Sequence, residues 1–151
     1  MAIIVWRTDT QFFDPGGEML PRGDHKATLD NSHKGTENLL RAKMKNGYDV
    51  RVNSLYTWRD EVWARTTWKL ERKTRKYLYR LKIEETDVRH TGDLCYYTEI
   101  GEALSAKTCP KAAIKAYASG AAFIQEKHNK PRVEILVRKA TVLDRYDPPP
   151  K

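Results

Sequence analysis

The sequence predicts a single α+β domain. Strand-like runs stand at both ends of the chain, "IIVW" at residues 3–6 and "VEILVRKATVL" at 133–143, with helical periodicity between them. A chain of 151 residues is about long enough to bury one core, and no repeat or linker divides it.

Taken in order, "IIVW" reads as a first strand, ending at Arg7. It breaks into a loop carrying Pro15, Gly16, Gly17, Pro21 and Gly23. A helix is expected over "TENLLRAKMKNG", with Thr36 as N-cap and Gly47 as the stop. "YDVRVNS" alternates and reads as a second strand. Thr57 is expected to open a helix through "TWRDEVWARTTWKL", with Trp58, Val62, Trp63, Thr66 and Leu70 on one buried arc and Trp68 off it. "KYLYRLKIEE" reads as a strand pairing with "RVEILVRKATVL". "YTEIGEAL" and "CPKAAIKAYASGAAFIQEKH" read as helices, and residues 145–151, closing in "DPPPK", as a flexible tail.

The net charge of +8 favours acidic partners such as nucleic acid, phosphate-rich ligands or acidic proteins, or else serves only solubility. No stretch approaches the roughly 18 apolar residues of a membrane span, so no membrane insertion is expected. The start shows no leader pattern, which fits a cytosolic protein or an excised domain. Cys95 and Cys109 could form one disulfide or none. Neither they nor the four scattered histidines have zinc spacing, so no metal is expected.

No phosphate-loop, dinucleotide or nucleophile-elbow motif is present. Polar residues do interrupt strand positions: Arg7 ends the first strand, Asn53 and Ser54 end the second, and Glu134 lies inside "VEILV". Each has an ordinary reading, as an edge arginine, turn residues and an outward-facing acid.

Together they carry a resemblance. "VWRTD", "GG" and "MLPRG" appear in the order and near the spacing of the catalytic A subunits of the cholera and heat-labile enterotoxins, and more distantly of pertussis toxin. "SHKGTENLLRAKMKNGY" is similar to that family's histidine-x-x-Gly-Thr segment, "YLYRLKI" to its Tyr-rich strand, and "PRVEILVRKA" to the region of its Glu-x-Glu motif. The resemblance implies a mono-ADP-ribosyltransferase fold, two packed antiparallel-rich sheets with flanking helices and an NAD cleft. It implies cleavage of the nicotinamide–ribose bond of NAD, used as substrate, and transfer of ADP-ribose to an acceptor.

The implied catalytic residues are Glu134, Ser54 and Arg7. Glu134 would stabilise an oxocarbenium-like transition state, and Ser54, or Asn53 in a shifted register, would orient it. Arg7 would fork onto the diphosphate, with Thr8 and Asp9 beside it and His33 in the floor of the site. The glycine loop would gate the pocket.

The sequence departs from the family at "VNSL", which replaces Ser-Thr-Ser, and at Arg132, which stands where arginine-modifying members carry glutamate. "CPKAAIKAYASG" has no counterpart. Arg132 would attract a phosphate or carboxylate; with Trp68 and the basic "KLERKTRK" run it makes RNA or DNA an acceptor beside protein. Family habit implies a delivered toxin or effector domain acting in a target-cell cytosol, with an immunity protein as partner. The competing class is a non-catalytic basic nucleic-acid-binding module.

Overall fold

A computed structural model describes residues 1–22, 31–70, 76–121 and 132–148. The elements are β1 (Ala2–Asp9), β2 (Glu18–Met19), α1 (Asn31–Lys43), α2 (Gly47–Val52), β3 (Leu55–Trp58) and α3 (Glu61–Leu70). They continue with β4 (Tyr77–Glu84), β5 (Val88–Asp93), α4 (Leu94–Ala106), α5 (Lys111–Ser119), β6 (Val133–Val137) and β7 (Ala140–Tyr146). The chain is α+β, with five α-helices among the described residues and one seven-stranded sheet ordered β2-β7-β4-β1-β3-β6-β5. All its pairings are antiparallel.

The sheet cannot be flat. β6 and β7 are joined through Arg138 and Lys139 alone, yet β4, β1 and β3 lie between them. Four inter-strand steps span about 19 Å, whereas three Cα–Cα steps reach about 11 Å. The sheet must therefore curl until β6 approaches β7. Its inner face holds a core to which only strands and their loops contribute, including Val5, Leu81, Ile83, Ile135, Val137 and Val142. The two separate sheets expected from the resemblance are thus one hydrogen-bonded sheet here, with its weakest seam at β1–β3, registered through the single pair Trp6↔Trp58.

The outer face is covered by helices. Leu136 packs with Leu40, Ile100, Ile114 and Tyr117 under α1, α4 and α5. On the other half, Ala64 and Trp68 of α3 pack with Trp6 and Leu78.

Several expected elements move. "YDVRVNS" is not a strand: residues 47–52 form α2, entered through Asn46 in the left-handed region (φ 54). Gly47 is required there, because a Cβ would sit 2.5 Å from the Leu40 carbonyl oxygen. It starts a helix and does not simply stop one. The alternation fits a strand, but α2 buries Val50, Arg51 and Val52 together, the arginine included, so the pattern did not mark two faces.

Thr36 is not a cap either, since α1 begins at Asn31 and buries it completely. Thr57 sits in β3, and Asp60 caps α3 by accepting from the Trp63 amide at 3.0 Å. This changes the buried arc. Val62 and Leu70 are 72% and 82% exposed, while Ala64 is fully buried. β5 was not anticipated; its six residues are too polar to show a strand pattern. α5 stops at Gly120, which takes φ 73; the rest of its expected span falls in residues 122–131, outside the described residues. The "KLERKTRK" run lies largely outside them too, as do residues 149–151 of the expected tail; β7 itself continues to Tyr146. Cys95 and Cys109 are free thiols.

Candidate active site

Glu134 sits on β6, one strand in from the β5 edge of the sheet. The register places Trp6, Trp58, Glu134 and Gly92 in one row across β1, β3, β6 and β5. Side chains in a row share a face, so Glu134 points to the outer, helix-covered side with Leu136. It is 4% exposed. A carboxylate so placed needs partners, and among the described residues it has two. Arg51 Nη1 approaches its Oε2 at 3.2 Å, and the Tyr117 hydroxyl donates to the same oxygen.

Arg51 is itself 2% exposed. Its Nε donates to Glu37 Oε2 at 3.2 Å, its Nη2 to Glu37 Oε1 and its Nη1 to the Tyr117 hydroxyl. The rings of Tyr56, Tyr117 and Tyr97 surround the guanidinium at 5.0, 5.5 and 5.6 Å. Burial pulls the Arg51 pKa down, but Tyr117, Glu134, Tyr56 and Glu37 pull it up further, so the group stays charged. Burial and the Glu134 charge push the Tyr117 hydroxyl well above its ordinary range, which keeps it a donor.

Arg7 belongs to a second cluster. It lies within β1, two residues before the strand's end, and it leaves the inner face. Nε donates to Asp9 Oδ2 at 3.1 Å and Nη1 to the Tyr56 carbonyl at 2.8 Å. Arg22 pairs with the same Asp9 oxygen, and the Gln11 amide donates to Oδ1 at 2.9 Å. One buried carboxylate therefore carries two guanidiniums, leaving excess positive charge. The two clusters meet through Tyr56: its carbonyl accepts from Arg7, and its ring packs on Arg51.

No protein-family model, curated protein or solved structure matches the chain. Position and chemistry alone bear on the site.

Ser54 precedes β3, and Leu55 pairs with Val137, so Ser54 lies beyond the far end of the β6 pairing and not beside Glu134. Its hydroxyl is buried without a hydrogen-bond partner. The polar β3 residue next to β6 is Thr57, which faces inward and donates to the Ile135 carbonyl at 2.7 Å. Asn53 ends α2 at the surface, donating to Asp49 Oδ1 at 2.7 Å and accepting from Arg89 through its carbonyl. Arg51 and Tyr117 hold Glu134 where Ser54 or Asn53 was expected to.

Thr8 follows Arg7 on the opposite face of β1, half-buried. His33 is exposed on α1, away from Arg7, and lines a cavity of about 560 Å³ with Tyr97, Thr98, Gly101, Glu102, Ser105 and Ala106. The glycine loop is tied down: Gly16 donates to the Val142 carbonyl, and Phe13 to the Tyr79 hydroxyl, which in turn donates to the Gln11 carbonyl. These bonds argue against a swinging gate.

Arg132 is engaged by α4, donating to Thr98 Oγ1 at 2.9 Å, and stacks on Trp63 at 5.3 Å. Trp68 packs into the α3 core and donates to the Lys76 carbonyl at 2.7 Å, so it is no open stacking platform. Among the described residues no group of acids, histidines and cysteines could hold a metal ion.

Glu37, Arg51, Tyr117 and Gly92 escaped the sequence reading. One signal was present: Arg51 stands between two valines in "VRV", as Glu134 stands in "VEILV". A charge bracketed by apolar residues on two segments points to a buried pair.

Proposed function

We propose that the chain is an NAD-dependent mono-ADP-ribosyltransferase domain. One observation carries this reading: β1, β3 and β6 are consecutive neighbours, so Arg7, on the inner face, and Glu134, on the outer, flank the same strand, whose Tyr56 touches both clusters. β1 and β3 register only at Trp6↔Trp58, and Arg7 bridges the gap to Tyr56 where they part. A sheet that divides there approaches two layers, the arrangement expected of an ADP-ribosyltransferase-like fold.

The chemistry assigns roles. Nicotinamide departs with the electron pair of the C–N bond, leaving an oxocarbenium-like ribose that the Glu134 carboxylate stabilises. The acceptor nucleophile then bonds to the anomeric carbon and loses its proton. Arg7 and Arg22, two cations on one carboxylate, supply forked donors for the diphosphate. Because Glu134 is nearly covered by the helices on its face, substrate entry must part it from them. The acceptor is a macromolecule, protein or nucleic acid, in keeping with a delivered toxin or effector checked by an immunity protein.

The test is nicotinamide release from NAD by the wild-type chain and by Glu134→Gln. A loss of about 100-fold or more in the rate constant, with NAD affinity little changed, is expected of a charge that acts in the transition state. No release and no NAD-dependent thermal shift in the wild type would overturn the proposal. The charge of +8 would then favour the basic nucleic-acid-binding module.

A further inference from the structure

We propose that Glu37, Arg51 and Tyr117 form a positioning set for Glu134, fixing one carboxylate oxygen while Glu37 takes up part of the Arg51 charge that would otherwise fall on Glu134 alone. The inference rests on the transferase reading above and goes beyond it, because it concerns what keeps the carboxylate effective inside a closed core.

A cation in direct contact with the reacting carboxylate is at first sight harmful. An arginine at 3.2 Å would cancel the charge that an oxocarbenium ion needs. Glu37 resolves the conflict. It grips the same guanidinium from the other side through both of its oxygens, so two carboxylates share one cation. The three groups carry one net negative charge. Arg41, its side chain also buried, adds a cation 3.3 Å from the same Glu37 oxygen that Arg51 Nε meets, so Glu37 is shared between two guanidiniums and the four groups together are neutral.

The geometry is also directional. Both contacts to Glu134 fall on Oε2, which leaves Oε1 for a ligand. Arg51 donates to the Tyr117 hydroxyl, which donates to Glu134, so the two hydrogen bonds polarise each other. Among the described residues, the other titratable groups facing Glu134 add no charge. Tyr56 of β3 and Tyr97 of α4 are raised by burial and remain protonated, and burial lowers His90 of β5, favouring the neutral ring.

A brace for folding alone and a positioning set predict different kinetics. The measurements are nicotinamide release across pH, thermal unfolding, and titration of the Glu134 carboxyl by NMR in glutamate-labelled protein. Tyr117→Phe removes a donor from Glu134 and should move its titration, and the acid limb of the rate profile, to higher pH. Glu37→Gln leaves Arg51 to serve Glu134 alone and should move both to lower pH. Both variants should lose about 10- to 100-fold in kcat with little change in KM, the scale expected when an outer partner of a reacting group is removed. Opposed shifts joined to a common rate loss cannot come from general loosening.

Should Glu37→Gln not fold, the double variant Glu37→Gln/Arg51→Met removes the ion pair as a unit. It should shift the titration upward, as Tyr117→Phe does. Unchanged titration, shifts in the same direction for the two single variants, or full kcat in Tyr117→Phe would overturn the positioning set. The NMR titration needs no NAD. A wild type without nicotinamide release would therefore sink the transferase reading, while opposed carboxyl shifts would still support the positioning set.

Discussion

The ring of Tyr117 lies directly against Gly92, and that contact is what lets its hydroxyl reach Glu134 one strand away. A Cβ at position 92 would meet the ring at 2.5 Å. Gly92 pairs with Glu134 across β5 and β6, so a bare backbone on one strand makes room for the donor to the acid on the next. His90, on the same face of β5, packs against Tyr117 with ring centroids 5.1 Å apart and the planes tilted by 38°, completing its seat.

Gly92→Ala should therefore act at a distance from its own backbone. Overpacking of this kind costs about 1–3 kcal/mol, and the displaced hydroxyl should also weaken the hold on Glu134. Urea unfolding together with the carboxyl titration checks this. A stability loss with no change in the Glu134 titration would show that the ring adjusts without moving its hydroxyl.

Asp9 makes a prediction about pH. Burial alone would raise its carboxyl, but the Arg22 hydrogen bond, the Arg7 charge and the Gln11 amide outweigh it and hold the group below its ordinary range. The unfolded chain, near 3.9, takes up the proton first as pH falls. The stabilisation is thus fully present above that value and is lost as pH drops through the lower folded value. Asp9→Asn should be less stable than wild type by about 1–3 kcal/mol at pH 6, the cost of leaving charged partners unmatched. That gap should narrow toward pH 2.5. A gap independent of pH in urea titrations would mean that the carboxylate's charge is not what holds Arg7 and Arg22.

The strands were legible where periodicity and burial agree. β1, β4 and the β6–β7 region alternate or run apolar because the curled sheet buries their inner faces, and the sequence shows this directly. α2 was not legible, because its alternation arises from Val50 and Val52 packing inward around a buried arginine, which a one-dimensional pattern does not distinguish from a strand. The orienting residue was missed for a related reason. The local motif at Ser54 suggested a neighbour in sequence, whereas Glu134 is served by Arg51 from α2 and Tyr117 from α5, brought together only by packing. Arg132 and Trp68 were singled out for their chemistry, and tertiary contacts then engaged both.

Arg7 should matter for binding and for folding. Arg7→Ala removes the bridge to the Tyr56 carbonyl and leaves Asp9 with Arg22. Losing one such buried contact to a charged group costs about 1.5–3 kcal/mol. In the proposed transferase the KM for NAD should rise about 10-fold or more, and Arg7→Lys should restore little of it because a lysine lacks the fork. An unchanged KM in Arg7→Ala, measured by nicotinamide release, would remove Arg7 from the diphosphate site and leave it a brace.

Arg132 gives the sharpest test of the acceptor. Its position before β6 suggests a guide for a phosphate-bearing acceptor, but its guanidinium already donates to Thr98 Oγ1, reaches the Leu94 carbonyl at 3.5 Å and lies over Trp63. It thereby ties the start of β6 to both α3 and α4. If that bracing is its whole task, Arg132→Ala should lower stability by about 1–2 kcal/mol, through lost stacking and hydrogen bonding, and reduce NAD hydrolysis and ADP-ribose transfer in equal proportion. A guiding role requires the opposite split, with transfer falling and hydrolysis by water intact. Salt separates the cases further. Transfer to nucleic acid should weaken steeply with rising salt as counterions compete, and Arg132→Ala should lessen that slope by about one unit if it meets a phosphate. Since its donors are turned to Thr98 and Leu94, the expected result is an unchanged slope and a lowered unfolding midpoint. A reduced slope with unaltered stability would return Arg132 to the acceptor site.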